Sequence, residues 1–324
     1  MSPPKPRSRW PSDGGSLDLI DKRLSGPFFR LKLGLPLEAL LSIPGCAFGM
    51  PAFHSVAPTL VACSLGGCQE APAVPFAFAV LVGASLLFAW AFVQASPKYM
   101  QLLHSKPALL LGPMIGIALA THVASAAPRA RNGALVYLVL WNLSIVPVLT
   151  LKATAHRRRP VACDEAHIGA GAVEAAFTKA LPAITRMHGS GDSNAAFPSG
   201  DAAGAAAFAY PLLRCAPLWS GASAAWMVPA LGCLLVALSM IGRMYFQAHH
   251  LMDTVCGAAF AFAVGVAYEA VTTGAFPGSP AADEQDVCST TRSWWEPLAA
   301  LGVLIVWATV AKLGGSAPTG KKVE

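Results

Sequence analysis

Residues 197–215, FPSGDAAGAAAFAYPLLRC, join a polar turn to an alanine-rich helix, and how that junction is read decides the fold. Pro198 to Gly200 stops the preceding loop, and Ser199 is placed to cap the helix that follows. The surrounding chain is unusually apolar: 55% of its 324 residues are hydrophobic and only 12% charged, against about a quarter charged in a soluble domain. Apolar runs long enough for a helical span, which takes roughly 20 residues, recur at 37–63, 73–95, 106–127, 133–151, 201–217, 225–242, 251–272 and 297–313. The expected fold is therefore an all-α polytopic membrane protein. The first run is broken by Pro44, Gly45, Gly49, Pro51, His54 and Pro58, so it reads as a kinked span or a re-entrant piece.

The net charge of +6 is concentrated in the first 35 residues and in one loop near residue 157. Charge placed this way suits membrane orientation and one anionic ligand, and gives no reason to expect nucleic acid. The N-terminal stretch mixes Lys5, Arg7, Arg9, Lys22, Arg23, Arg30 and Lys32 with proline, glycine and serine, and reads as a disordered basic tail without a cleavable signal. The eight cysteines form no CxxC pair. Cys46, Cys215, Cys233 and Cys256 lie in apolar segments and read as small buried hydrophobes. Cys63 and Cys68 could pair across a short loop, leaving Cys288 over.

Ionisable groups at membrane depth are costly, so their clusters mark function. Three stand out: KATAHRRRP at 152–160, FPSGD at 197–201 and GRMYFQAHHLMD at 242–253. Counting crossings places all three on one face of the membrane. Singly, each has an ordinary reading as an orientation signal, a helix cap or a pair of solvated histidines. Together they converge on phosphate. Lys152 and the arginines after it, with Arg243, supply cationic donors. Ser199 and Gly200 stand at a helix N-terminus, whose free N–H groups and dipole receive an anion. His249 and Asp253 are four apart at the start of a helix, hence on one face, so the carboxylate can hold one ring nitrogen and leave the other as a nucleophile. His250 stands three from Asp253 and remains an alternative.

Lys152-x6-Arg159-Pro160, Pro198-Ser199-Gly200 and Arg243-x5-His249-x3-Asp253 together resemble the signature of the type 2 phosphatidic acid phosphatase superfamily, which also includes bacterial acid phosphatases and vanadium haloperoxidases. The resemblance implies a six-helix phosphatase core and a metal-independent reaction with no cofactor. It implies that His249 attacks phosphorus, that Asp253 orients it, and that Lys152, Arg159, Ser199, Gly200 and Arg243 hold the phosphate oxygens. The chain then divides into a tail over 1–35, a broken apolar segment over 36–69, a lipid phosphatase core over 70–272, a loop over 273–295, an extra transmembrane helix over 296–314 and a tail over 315–324. The implied substrate is a lipid phosphate monoester or a polyisoprenoid diphosphate, in an endomembrane or the plasma membrane.

Two positions depart from the family pattern. Gly242 stands where serine is usual, and Asp201 stands where the family carries the histidine that protonates the leaving group. A phosphate bound among the cations would let the Asp201 carboxyl take a proton and serve as that acid; His156, His188 and His250 are other donors within the motifs' neighbourhood. A weakened acid also favours diphosphates, because a departing phosphate, whose conjugate acid has a pKa of about 6, needs protonation far less than an alkoxide does. A lipid phosphotransferase, a binder of lipid phosphates without turnover and a transporter gathering basic groups at membrane depth are the competing readings; only the last has no use for the His249–Asp253 spacing.

Overall fold

In a computed structural model, the structure describes residues 16–66, 106–155, 157, 159–160, 196–215, 226–274, 287–289 and 292–314. Within these, nine α-helices and one short 3₁₀ turn make up the regular structure, and there is no strand. They are α1 (Ser16–Phe29), α2 (Leu35–Cys46), the 3₁₀ turn Pro51–Ser55, α3 (Ala57–Ser64), α4 (Lys106–Val123), α5 (Pro128–Ala155), α6 (Gly200–Arg214), α7 (Met227–Tyr245), α8 (Leu251–Thr273) and α9 (Trp295–Gly314). Pro128–Lys152, Met227–Tyr245 and Leu251–Thr273 are long and apolar enough to cross a membrane, and Leu35–Cys46, Pro107–Val123 and Trp295–Val306 are shorter apolar helices. The fold is the all-α membrane class anticipated; the run 73–95 and the loop 161–195 lie outside the described residues.

Helix α6 is the centre of the bundle. Asp201 through Leu212 are buried, and α5, α7 and α8 pack around them. Alanine and glycine let these backbones approach. A Cβ at Gly204 would meet the Phe48 carbonyl oxygen at 2.4 Å, one at Gly265 would meet the Tyr210 ring at 2.5 Å, and one at Gly257 would meet the Ser199 carbonyl oxygen at 2.2 Å. The far ends of α6 and α8 are tied by Glu269, which accepts from Tyr210 Oη at 2.7 Å and pairs with Arg214 at 2.7 Å.

The broken segment after α1 crosses the bundle once, as a helix, a 3₁₀ turn and a second helix. It runs antiparallel to α5: Trp141 Nε1 donates to the Phe48 carbonyl at 3.1 Å, His54 Nδ1 lies 2.6 Å from Tyr137 Oη, and Leu65 sits against Gly133. Its prolines fall at helix starts or in the turn, where a missing N–H costs nothing; Pro44 alone is inside a helix, near its end.

Two expectations are corrected. The stretch 1–35 is not a disordered tail throughout, because Ser16–Phe29 is helical. Asp18, Asp21, Ser25 and Phe29 recur at helical spacing and are buried against the bundle, while Leu17, Leu19, Ile20 and Leu24 face outward. That polarity is the reverse of a soluble amphipathic helix, and composition alone concealed it. Cys215 and Cys288 are not a buried hydrophobe and a leftover; they form a disulfide with Cα atoms 5.6 Å apart. Cys215 follows the last turn of α6 and Cys288 stands in the turn 287–289, so two chain segments 73 residues apart meet at the end of the bundle away from Ser199.

Candidate active site

The three polar clusters meet at one end of the bundle. Pro198 leads into α6 and Ser199 is its N-cap, accepting from the Ala202 N–H at 3.3 Å. The Ser199 N–H donates to the Asp253 carbonyl at 2.9 Å, which locks the start of α6 to the start of α8. Gly200 opens α6, and a Cβ there would make only ordinary contact with Ile145 and Val148 at 3.6 and 3.8 Å. Packing therefore does not demand glycine at 200. Lys152, in the last turn of α5, has Arg159, Arg243, Asp201 and Asp253 as charged neighbours.

The chain leaving α7 folds back on itself. The N–H groups of Ala248 and His249 both reach the Arg243 carbonyl, at 3.0 and 3.3 Å, and Gln247 adopts a left-handed conformation with φ 52°. A non-glycine residue there carries strain of order 1 kcal/mol, and the turn it permits carries His249 back beside Arg243. His249 thus precedes α8, whose N-cap is His250, and does not share a helical face with Asp253 as the four-residue spacing suggested. The two still meet: His249 Nδ1 lies 3.7 Å from Asp253 Oδ2. His250 Nδ1 is equally distant, at 3.7 Å, so the carboxylate does not choose between them. Their other contacts do. His249 Nε2 lies 3.3 Å from the Arg159 guanidinium, whereas the His250 ring packs edge-on against Phe29 of α1 at 5.8 Å. Only His249 faces the cations.

Burial, aided by Arg243, Arg159 and Lys152, holds the His249 imidazole well below its ordinary pKa, against the opposing pull of Asp253. It is neutral at physiological pH, with a lone pair available. Burial and then Arg243 likewise lower Arg159, whose NH1 also donates to the Ala248 carbonyl at 3.1 Å.

Asp201 is buried in the first turn of α6 with both oxygens engaged. Oδ1 accepts from the Gly49 N–H at 2.8 Å and Oδ2 pairs with Arg243 at 3.1 Å. Arg243 NH1 donates in turn to the Gly45 carbonyl at 2.8 Å. Both departures from the family pattern therefore face the segment 45–49. A Cβ on Gly242 would lie 2.8 Å from Gly45 Cα, so a serine would not fit beneath α2, and a Cβ on Gly49 would crowd Asp201 at 3.0 Å. Sequence reasoning singled out neither Gly45 nor Gly49 as part of the site; their separation from Asp201 by some 150 residues left no local signal.

The basic run divides. Arg159 turns toward His249, while Arg157 turns away and binds three carboxylates: Asp253 Oδ1 at 2.6 Å, Asp21 at 2.6 Å and Asp18 at 3.1 Å. Burial works against the Arg157 proton, but Asp253 and Asp21 more than offset it and hold the guanidinium firmly charged. Arg157 and its α1 partners Asp18 and Asp21 were missed as site residues by sequence reasoning. The signal available was the spacing Asp18, Asp21, Ser25, which is helical and polar inside an otherwise apolar stretch. Among the described residues no three His, Cys, Asp or Glu side chains are arranged to hold a metal ion.

Residues 133–275 match the family model of the PAP2 superfamily. No curated protein and no solved structure matches the chain. The matched stretch contains all three motifs, α6 through α8 and α5 from residue 133 on, and over that stretch the chain is similar to the PAP2 superfamily.

Proposed function

We propose that this protein hydrolyses the phosphate monoester or diphosphate of a membrane lipid through a phosphohistidine at His249. The match of residues 133–275 to the PAP2 superfamily supports a phosphatase-type activity on phosphate esters. The observation that carries the finer reading is the placement of His249: neutral, with Asp253 at Nδ1 and Arg159 at Nε2. Nε2 attacks phosphorus, forming an N–P bond as the bond to the lipid oxygen breaks. Lys152, Arg159 and Arg243, with the N–H groups at Ser199 and Gly200, hold the phosphoryl oxygens as charge moves onto them. Water then attacks phosphorus and gives its proton to the Asp201 carboxylate left by the first step, the N–P bond breaks, and inorganic phosphate leaves. Asp201 is the proposed proton donor to the departing oxygen. An incoming phosphate competes with its carboxylate for Arg243, which releases the Asp201 side chain toward the leaving group.

The same reading assigns the site to the cytosolic face. The chain 35–65 passes once from the Tyr245 end of the bundle to the Gly133 end, so α1 and the motifs share a side. The Cys215–Cys288 disulfide lies at the opposite end, as does Cys63, which is also disulfide-bonded. Disulfides persist in oxidising compartments, and Lys22, Arg23, Arg30, Lys32, Lys152, Arg157, Arg159 and Arg243 on the other side outnumber Arg129, Arg131, Arg214 and Arg292 at the disulfide end, the sense of positive-inside bias. The substrate is then a lipid of the cytosolic leaflet.

The test is phosphate release from a phosphatidate and from an isoprenoid diphosphate by the purified protein in detergent and EDTA, beside His249→Ala. Release that persists in EDTA and is lost in the variant supports the reading. Release that survives in His249→Ala removes the phosphohistidine, and lipid phosphate bound without release points to the non-hydrolytic binder.

A further inference from the structure

Asp253 is buried with Lys152, Arg157 and Arg159 as cationic neighbours. If it paired with Lys152 or Arg159, it would turn away from His249 and neutralise a ligand-binding charge. It does neither, because Arg157 takes its Oδ1 from the opposite side at 2.6 Å while Oδ2 accepts the His250 N–H at 2.8 Å and faces His249. Arg157 is itself held from behind. Its NH2 group pairs with Asp21 and Asp18 of α1, and both carboxylates are buried. Helix α1 also closes the start of α8: Asp21 Oδ1 accepts the Met252 N–H and Ser25 Oγ accepts the Leu251 N–H, each at 2.9 Å. Those are among the first N–H groups of α8, which lack partners within the helix. Phe29 completes the contact by packing on His250.

We propose that Arg157 and helix Ser16–Phe29 form a clamp that positions the Asp253 carboxylate on His249 and keeps it off Lys152 and Arg159. The proposal rests on the reading of His249 as nucleophile and adds to it Arg157, Asp18, Asp21 and Ser25, which act through Asp253 and are positioning residues. They lie outside the family's three motifs, in the variable x6 segment and in a helix upstream of the matched region. The clamp makes two statements about His249. Arg157 contributes positive charge near the imidazole, together with Lys152, Arg159 and Arg243, against Asp253, Asp201, Asp18 and Asp21, with His250 alongside. Removing the Arg157 charge therefore favours the imidazolium, and loss of alignment lowers kcat more than it raises KM.

The experiment uses the full-length protein in detergent and reads two quantities: the His249 imidazole pKa by NMR with ¹³C-labelled histidine, assigned by its loss in His249→Ala, and kcat and KM on both substrates. Arg157→Gln is expected to raise the His249 pKa and to lower kcat about 10²-fold, the effect of a small misplacement at a reacting centre. Arg157→Lys, which keeps the charge, is expected to retain the wild-type pKa and recover part of kcat. Asp21→Asn keeps the bond to the Met252 N–H but loosens Arg157; it is expected to lower kcat without raising the pKa. Should Arg157→Gln fail to fold, Arg157→Lys and Asp21→Asn still decide: wild-type kcat in both overturns the clamp. An unmoved His249 pKa with wild-type kcat in folded Arg157→Gln overturns it as well. The failure of the hydrolase reading looks different: no phosphate release by wild type, with the pKa shift in Arg157→Gln intact.

Discussion

At the scale of single residues, the account turns on which charges are committed and which are left to bind. Arg157 is taken up by Asp18, Asp21 and Asp253, Arg243 is shared between Asp201 and the Gly45 carbonyl, and Arg159 bonds the Ala248 carbonyl and His249. The depressed His249 pKa fixes a sign. Protonation removes the nucleophilic lone pair, so a lower pKa moves the acid limb of kcat/KM to lower pH, and that limb is expected below 6.5, the ordinary imidazole value. An acid limb at or above 6.5 in a pH–rate profile contradicts the assignment. Stability follows the same shift with its own sign: the unfolded imidazole takes a proton below about 6.5 while the folded one does not, so the fold weakens as pH falls through that range. Asp201→Asn separates a proton donor from a mere partner of Arg243. A donor matters most to an alkoxide, so the variant is expected to lose about 10²- to 10⁴-fold on the monoester and much less on the diphosphate; equal losses on both indicate that only the ion pair was removed.

At the scale of elements, the site exists because helix starts are held together by backbone contact. A Cβ at Gly257 would press the Ser199 carbonyl oxygen at 2.2 Å, backbone that cannot swing aside. Gly257→Ala is therefore expected to destabilise the protein by about 1–3 kcal/mol and to lower activity with it. Gly302→Ala, where nothing lies within 4 Å, is expected to leave the thermal midpoint unchanged or raised. Thermal unfolding in detergent compares the two. Sequence periodicity found these helices well: α6, α7 and α8 begin within two residues of the apolar runs 201–217, 225–242 and 251–272. The motif residues were legible for the same reason, since each stands at a helix end where polarity breaks an apolar run. What could not be read was anything carried by distant backbone. The Gly49 N–H on Asp201, the Gly45 carbonyl on Arg243 and the fit of Gly45 beneath Gly242 depend on how a broken segment folds across the bundle, and no spacing rule reports that. Helix α1 was hidden differently, because its buried face is the polar one and hydrophobic patterning looks for the opposite.

At the scale of the whole molecule, the disulfide end and the motif end are opposite poles of one bundle. That gives the sidedness prediction a direct check. With sealed vesicles of known orientation and a membrane-impermeant short-chain lipid phosphate, hydrolysis is expected at once when the cytosolic face is outward, and only after permeabilisation when it is inward; the reverse pattern places the site on the oxidising side. The extra helix α9 packs on α5 and extends the bundle beyond the matched region. The central claim concerns one bond. Rapid acid-free quenching of the protein with ³²P-labelled lipid phosphate, followed by denaturing electrophoresis, measures it directly. A labelled protein band that survives alkali, is lost in acid and is absent from His249→Ala is expected. A band that persists in that variant, or none at any quench time while phosphate is released, would contradict the phosphohistidine at His249.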